Sequence, residues 1–278
     1  MYIALNGTLV AGRVKWPEFA RLAARIGYPG ADVNLDAAMS EGAEATRRML
    51  EELKLKPAVV GLPVDFRKDD EAFRATLPRL EPACQFSVAI GCPRMTTYLM
   101  PSSDTPAAEL RKTLRERFKM CADILARCHM RLGFEFISPL HLRKRFRYEF
   151  IWRMDDMLAF ATECGPNVGV LLDSWHWHHA GGKPSDIVSA GKEKIVHVQV
   201  ADAQDLPPEK IVDSERLLPG EGILDWSGFF PSLRKIGYEG GVSPEVFGRG
   251  LKDMPPEEGA RLGLETTREV MKKAGVLK

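Results

Sequence analysis

Four oxygen-bearing side chains stand near the carboxyl ends of four successive apolar runs in this 278-residue sequence. They are Glu135 in RLGFEFIS, Asp173 in VGVLLDS, Gln199 in IVHVQVAD and Glu245 in GGVSPEVF. Successive side chains of a strand point to opposite faces, so each run has an apolar face and a face that carries one of these residues. If the runs are neighbouring strands of one barrel, all four side chains point into the same interior.

Three carboxylates that converge inside a protein repel one another unless a positive charge lies among them. A divalent metal ion supplies that charge, and an all-oxygen ligand set favours a hard cation such as Mg²⁺ or Mn²⁺. At any one of the four positions a local salt bridge at a strand end would be the simpler explanation. The parity shared by all four residues favours one metal site.

The histidines offer weaker signals. His176, His178 and His179 lie in WHWHH, whose spacing does not match a closed structural zinc site. Of these, His176 is the one we expect to contact substrate. His197 shares its strand face with Gln199 but lies one layer deeper, where a hydrogen-bonded structural role is expected.

Further candidates line the same end of the chain's strands. Trp177, like Trp175, could form a wall of the pocket or pack in the core. Arg216, in ERLLPGEG, could bind a hydroxyl or a phosphate group of a ligand, or be a solvated loop charge. The basic run HLRKRFR (141–147) could attract an anionic substrate group, although such runs are usually solvated.

The elements that must position these residues follow an alternating pattern of short apolar runs and amphipathic stretches. Predicted strands are 2–6, 31–35, 57–62, 95–100, 131–138, 168–174, 195–202 and 240–247. Helical patterns lie between the strands; examples are 16–26, 43–53, 110–128, 150–164, 226–236 and 257–273, with a weaker one at 184–190. Eight strand–helix repeats predict an α/β fold, a (β/α)8 TIM barrel in a single domain spanning 1–278; a doubly wound open sheet is the alternative.

Two local features of this pattern carry expectations of their own. In IVHVQVAD, strict alternation assigns Val196, Val198 and Val200 to the side that faces the helices. The connection from Asp202 to Asp225 is too long for an ordinary loop, and we expect it to close over a bound substrate.

Composition limits the class of protein. Hydrophobic residues make up 45% and charged residues 28% of the chain, which is typical of a globular protein. The formal net charge of +1 predicts neither a nucleic-acid partner nor a membrane partner. No apolar stretch is long enough for a membrane span, and the start of the chain does not read as a signal peptide. The five cysteines include no C-x-x-C pair, so reduced thiols and a cytoplasmic location are expected.

Several stretches resemble the xylose isomerase-like barrel superfamily of sugar and sugar-phosphate isomerases and epimerases. GFEFIS, VGVLLDSWHWHHAGG, HVQVAD, LPGEGILDW and GVSPEVFG match it in order, from about residue 130 to 250, and PEFARLAARIGYPGADV (17–33) is similar to its first helix. The D-x-x-H of residues 173–176 together with PGEG (219–222) is the most specific part. The resemblance implies a single divalent metal ion with Glu135, Asp173, Gln199 and Glu245 as its ligands, and His176 touching substrate.

One residue of the expected ligand set departs from the pattern of many family members, and it indicates a branch of the family. Many members have His where this chain has Gln199, and Gln there is similar to the hydroxypyruvate isomerase branch, whose motif reads H-[VI]-Q-[VI]-A-D. Because Zn²⁺ would gain from an imidazole ligand, Mn²⁺ or Mg²⁺ is favoured, with Zn²⁺ and Co²⁺ still compatible.

The resemblance implies a metal-dependent isomerase or epimerase of a sugar or sugar-derived keto acid. Glu135 and Glu245 would serve as ligands and as the acid–base pair of a proton transfer through a metal-stabilised enediolate. His176, Arg216 and Trp177 are the expected substrate-binding residues.

Three other functions stay open. An inosose-type dehydratase could begin with the same proton abstraction. An abasic-site endonuclease, which needs many histidines and a basic groove, and a non-catalytic sugar-binding protein are the more distant alternatives. The expected partner is a small molecule, and a homo-oligomer is compatible with the sequence.

Overall fold

The computed structural model describes residues 1–277, and Lys278, the last residue of the expected domain, lies outside them. Eight strands of the described residues pair in parallel and close into a barrel, each with its neighbour in the chain and the last with the first. The strands are β1 (Tyr2–Leu5), β2 (Gly30–Val33), β3 (Lys56–Gly61), β4 (Arg94–Leu99), β5 (Arg131–Phe136), β6 (Val168–Asp173), β7 (Ile195–Val200) and β8 (Gly241–Pro244). The predicted (β/α)8 barrel is confirmed, and the open sheet is excluded.

Helices surround this barrel in the described part of the chain. They are α1 (Glu18–Ile26), α2 (Leu35–Glu41), α3 (Ala43–Glu52), α4 (Asp70–Thr76), α5 (Leu80–Ala89), α6 (Ala107–Arg127), α7 (Leu140–Arg143), α8 (Met154–Cys164), α9 (Ser174–His179), α10 (Pro184–Ala190), α11 (Trp226–Lys235) and α12 (Pro256–Lys273). The weakly predicted helix at 184–190 is confirmed. Short 3₁₀ turns occupy Gly7–Val10, Leu77–Arg79 and Pro208–Lys210.

The core lies between the outer faces of the strands and the helices. In β5, Phe134 and Phe136 are fully buried on the helix-facing side. The Phe134 ring lies 4.4 Å from the ring of Phe118 on α6 and 5.7 Å from that of Phe160 on α8, measured between centroids. Glu135, which lies between Phe134 and Phe136, therefore faces the interior, as the alternation predicts.

Strand β7 departs from strict alternation. Its pairing with β6 steps from Val170 opposite Ile195 to Leu171 opposite His197, so Val196 is an extra residue on β7. A Cβ built on Gly133 of β5 would lie 2.9 Å from the Val196 Cβ, which places Val196 on the interior side. The expectation that Val196 faces the helices is therefore wrong, because a bulge inserts one residue and shifts the parity before it.

The predicted helix 150–164 begins later than expected, at Met154. The backbone before it is extended: Phe150 donates a backbone hydrogen bond to the Pro101 carbonyl, and Tyr148–Glu149 pairs antiparallel with Ser102–Ser103. No helix within residues 1–277 is both long and apolar enough to span a membrane.

Candidate active site

Three of the four predicted ligands meet at the carboxyl end of the barrel. Glu135 lies on β5, Asp173 ends β6, and Glu245 follows the last residue of β8. One carboxylate oxygen from each lies within 4.8 Å of those of the other two. This convergence confirms that the three side chains share one face, as their parity predicts.

Gln199 joins the cluster from β7. Its Nε2 donates a hydrogen bond of 2.9 Å to Oε1 of Glu245, which leaves the amide Oε1 as the free atom. That oxygen is buried and has no hydrogen-bond partner among the described residues. Glu135 Oε1 is in the same condition. Two buried acceptors without donors thus belong to this cluster, and an acceptor left this way costs free energy unless a hydrogen-bond donor or a cation satisfies it.

Arg216 is not a solvated loop charge. Its side chain is 1% exposed, and its NH1 donates to Asp173 Oδ2 at 2.9 Å and to Glu245 Oε2 at 3.2 Å. Its NH2 donates to Asp213 Oδ1 at 2.8 Å. Although burial alone would lower it, the pKa of Arg216 is raised by the surrounding carboxylates, those of Asp173 and Asp213 first. The guanidinium is therefore a permanent cation within the cluster.

His176 touches both the cation and the carboxylates. Ser138 N lies 3.3 Å from its Nδ1 and Arg216 NH2 lies 3.0 Å from its Nε2, yet a neutral imidazole has only one acceptor nitrogen. Because the contact with Arg216 is shorter, we assign Nε2 as the acceptor. Nδ1 then carries the proton, 3.4 Å from Ser138 Oγ. Burial, followed by the charge of Arg216, lowers the pKa of His176 well below its usual value and keeps the ring neutral.

Asp173 also holds helix α9, which carries the WHWHH segment. Its Oδ1 accepts hydrogen bonds from the backbone N–H groups of Trp175 at 2.7 Å and His176 at 3.1 Å. A carboxylate at a helix start satisfies orphan N–H groups and faces the positive end of the helix. The D-x-x-H spacing therefore follows from this cap: Asp173, a predicted metal ligand, and His176 are held in place relative to each other by one capping interaction.

The electrostatics of the two glutamates are set mainly by burial. Burial raises the pKa of Glu135 well above its usual value, and the charges of Glu245 and Asp173 raise it further. Burial also raises the pKa of Glu245 to about 7, against the opposing effect of Arg216. Fully ionised, the three carboxylates would carry three negative charges against one guanidinium, so a further positive charge is needed to hold all three deprotonated.

A divalent cation fits this donor set. The candidate ligand atoms are all oxygens, and two of them are buried without a hydrogen-bond partner among the described residues. Oxygen donors with excess negative charge are the environment that hard divalent cations prefer. Glu135, Asp173, Gln199 and Glu245 are the residues that could hold the ion.

Three residues near the site were not singled out from the sequence. Asp213 pairs with Arg216 and lies 3.7 Å from His176 Nε2. Tyr98 pairs in register with Glu135, and the Arg67 guanidinium lies 3.9 Å from the centre of its ring. The alternation in RMTTYL could have placed Tyr98 on the interior face, but nothing local signals Asp213 or Arg67.

Trp177 lies away from the carboxylate cluster. It is 2% exposed, packs edge-on against Phe229 at 5.3 Å, and lines a cleft of about 250 Å³ together with Arg153 and Asp186. These contacts place it against α11 and this cleft, so they give no support to the expected role of Trp177 in substrate binding, which stays a prediction. Successive side chains of a helix project about 100° apart, so Trp177 leaves α9 on a different side from His176.

His197 lacks the hydrogen bonds expected of it among the described residues, whereas the basic run is largely solvated, as such runs usually are. His197 is fully buried one layer below Gln199, as predicted, but its ring nitrogens have no hydrogen-bond partner in the described part of the chain. The run 141–147 is largely exposed at residues 144–147, while Arg143 pairs with Glu149 and stacks on Trp152.

The long connection between β7 and α11 is tied at its base. Asp202 accepts four hydrogen bonds: from the N–H groups of Ala203, Gly220 and Leu224, and from Trp226 Nε1, at 2.7–2.9 Å. Its backbone also pairs with Leu217. The part that carries Arg216 is therefore tied in place, whereas the stretch 204–215 is mostly exposed and lacks these ties to Asp202, and residues 220–223 form a second short exposed stretch.

A family model described as xylose isomerase-like TIM barrel matches residues 12–270. The chain therefore belongs to that family, as the motifs around Asp173 and Glu245 imply.

Relatives within the family carry the names of several enzymes. Inosose isomerase of Bacillus licheniformis is 35% identical over 107 residues, which cover 38% of this chain and 38% of that protein. A Mus musculus protein that carries the name hydroxypyruvate isomerase is 27% identical over 84% of both chains. 3-Dehydroshikimate dehydratase of Pseudomonas putida is 32% identical over 49% of this chain and 21% of its own. The chain thus spans about two fifths of the inosose isomerase.

Solved structures show the same fold. A xylose isomerase domain protein from Alicyclobacillus acidocaldarius is 31% identical, with a TM-score of 0.91 over 99% of both chains. The IolI protein, solved with a bound zinc atom, is 19% identical, with a TM-score of 0.83 over 99% of both chains.

Proposed function

We propose that this chain is a metal-dependent isomerase or epimerase of a sugar or sugar-derived keto acid, acting by proton transfer at the carbon beside a carbonyl. The observation that carries the proposal is the convergence of Glu135, Asp173 and Glu245 within 4.8 Å of one another at the carboxyl end of the barrel. Active sites of (β/α)8 enzymes lie at that end. Relatives named inosose isomerase and hydroxypyruvate isomerase support the reaction class.

Glu135, Asp173, Gln199 and Glu245 would hold one divalent ion, for which Mn²⁺ or Mg²⁺ suits the oxygen donors. The zinc atom of the IolI structure supports a divalent metal without fixing its identity for this chain. When bound, such an ion polarises a carbonyl oxygen and acidifies the adjacent C–H bond.

The protein's own groups would move the proton. Glu135 and Glu245 come from strands separated by β6 and β7, so their carboxylates can face a substrate from different sides. One would take the carbon-bound proton and the other would return it. The Arg216 guanidinium lies beside Glu245 and would donate to a substrate oxygen, while His176 Nε2, 3.6 Å from Glu135 Oε1, is an acceptor that would receive a substrate hydroxyl hydrogen.

A dehydratase is the second candidate, and the relative named 3-dehydroshikimate dehydratase favours it. The same carboxylate would abstract the proton, after which a hydroxyl on the next carbon would leave as water. The two reactions share their first step and the same residues.

Turnover in heavy water tests the proposal. Sugars and keto acids are incubated with the Mn²⁺-loaded protein, and products are examined by NMR and mass spectrometry. Because a carboxyl exchanges its proton with solvent, isomerisation by proton transfer is expected to place deuterium at the reacting carbon. A product lighter by one water identifies the dehydratase. An unlabelled isomer would contradict proton transfer and indicate a hydride shift.

A further inference from the structure

The backbone on both sides of Glu245 is held by side-chain hydrogen bonds. Before it, Ser243 Oγ donates to Asp32 Oδ1 at 2.7 Å. After it, the Val246 N–H donates to Thr8 Oγ1 at 3.1 Å. Ser243 lies on β8, Asp32 on β2, and Thr8 in the turn after β1, so two strands and one turn contribute to holding the backbone around Glu245.

These two hydrogen bonds belong to one network. Thr8 Oγ1 donates to Asn6 Oδ1 at 2.8 Å, and Asn6 Nδ2 donates to Asp32 Oδ2 at 2.8 Å. Asp32 is therefore the group at which both branches meet, one through Ser243 and one through Asn6 and Thr8. The network links β8, β1 and β2, the neighbouring strands at which the barrel closes.

The network contains the buried carboxyl group of Asp32, whose ionised form is costly to bury. Asp32 faces the barrel interior, and its hydrogen-bond partners within residues 1–277, Asn6 and Ser243, are neutral. His197 Nε2 is 3.9 Å from Asp32 Oδ1, too far for a direct hydrogen bond. Burial raises the pKa of Asp32 to about 7. Polar groups that are expensive to bury are concentrated where function requires them.

The carboxylate of Glu245 is held at its other end by different groups. Its Oε1 accepts from Gln199 Nε2 and its Oε2 from Arg216 NH1, at 2.9 and 3.2 Å. These contacts orient the carboxylate. The backbone of Glu245 is held by two further bonds, since its N–H donates to the Val200 carbonyl at 3.0 Å and its carbonyl accepts from Arg216 NH1 at 3.3 Å. The network through Asp32 adds restraint at the residues immediately before and after Glu245. A misplacement of about 1 Å at a reacting group can reduce a rate about 10²-fold.

We propose that Asp32, Asn6, Thr8 and Ser243 are positioning residues for Glu245. They clamp the backbone before and after it, so that its carboxylate stays within reach of Glu135 and Asp173. The positioning role is inferred from the hydrogen bonds alone. The effect of that role on metal binding and turnover rests on the proposed function.

The test compares variants that cut each branch with one that keeps it. Thr8→Val removes the hydroxyl that accepts from Val246, Thr8→Ser retains it, and Ser243→Ala cuts the branch to Asp32. Crystal structures of the variants are expected to show the Glu245 Oε2–Arg216 NH1 distance beyond 3.5 Å for Val and Ala and unchanged for Ser. Calorimetry is expected to show Mn²⁺ affinity reduced about 10- to 100-fold in Thr8→Val and Ser243→Ala, and restored in Thr8→Ser.

The outcomes separate this inference from the proposed function. If Glu245 keeps its position in both Thr8→Val and Ser243→Ala, or if Thr8→Ser moves it as far as Thr8→Val does, the positioning role is overturned. If the wild-type chain binds no Mn²⁺, the proposed function fails, and the crystallographic comparison still decides the positioning role. Should one variant not fold, the other branch supplies the same comparison, with the melting temperature recorded for each protein.

Discussion

Glu245 is the residue on which the proposed chemistry depends most. Its carboxylate receives hydrogen bonds from Gln199 and Arg216 and lies within 4.8 Å of ligand atoms of Glu135 and Asp173. A side chain with this many polar neighbours is already oriented before substrate arrives. Such preorganisation is what a proton-transferring group requires.

Replacing Glu245 by Gln keeps an oxygen for the metal ion but removes the base. We expect the rate to fall about 10²- to 10⁴-fold, which is the usual contribution of a general acid or base. Steady-state kinetics measure this effect, with Glu239→Gln as a control because Glu239 is exposed on the loop before β8. Near-normal turnover of Glu245→Gln would show that the proton is moved by another group.

At the scale of elements, the sequence predicts a structural feature correctly where that feature depends on a single strand or helix. Alternation within β5, β6 and β8 predicts which face carries Glu135, Asp173 and Glu245, because side-chain direction in a strand is local. The bulge at Val196 depends on the register between β6 and β7, which no single strand encodes. The burial of Arg216 depends on the path of a long loop and on partners from β6 and β8, so its ion pairs could not be predicted from nearby residues.

The connection between β7 and α11 divides into a fixed part and an exposed part. Residues 216–226 are tied to Asp202, whereas 204–215 are mostly exposed and carry Asp213, the partner of Arg216. We expect the exposed part to close over a bound substrate, since it follows a strand on the side where the carboxylates meet.

Hydrogen exchange with and without a saturating substrate analogue tests this closure. Exchange is expected to slow in residues 204–215, while residues 216–226 serve as an internal control and change little. Unchanged exchange throughout the connection would rule out a lid.

At the scale of the whole molecule, the barrel carries ionisable groups in its interior that affect folding. The pKa of Asp32 is raised by burial to about 7, whereas an exposed Asp titrates near 3.8. Between these two pH values the folded chain binds a proton that the unfolded chain has released. Raising the pH from about 4 to about 7 therefore favours unfolding, and no further loss arises from Asp32 above pH 7.

Asp32→Asn is expected to remove this contribution. Relative to the variant, the wild-type chain should lose up to about 4 kcal/mol of unfolding free energy as the pH rises across that window. Urea denaturation at a series of pH values measures the difference in slope, with Asp36→Asn as control because its side chain is 75% exposed. Parallel pH profiles for wild type and Asp32→Asn would contradict the raised pKa.

The number of divalent ions per chain tests the central claim most directly. Plasma mass spectrometry of the purified protein, compared with a Glu135→Gln/Asp173→Asn double variant, measures it without knowledge of the substrate. A site built from Glu135, Asp173, Gln199 and Glu245 predicts one ion in the wild type and far less than one in the variant, both proteins folding alike by circular dichroism. No ion in the wild type, several ions, or equal metal in wild type and variant would contradict a one-metal isomerase at this site.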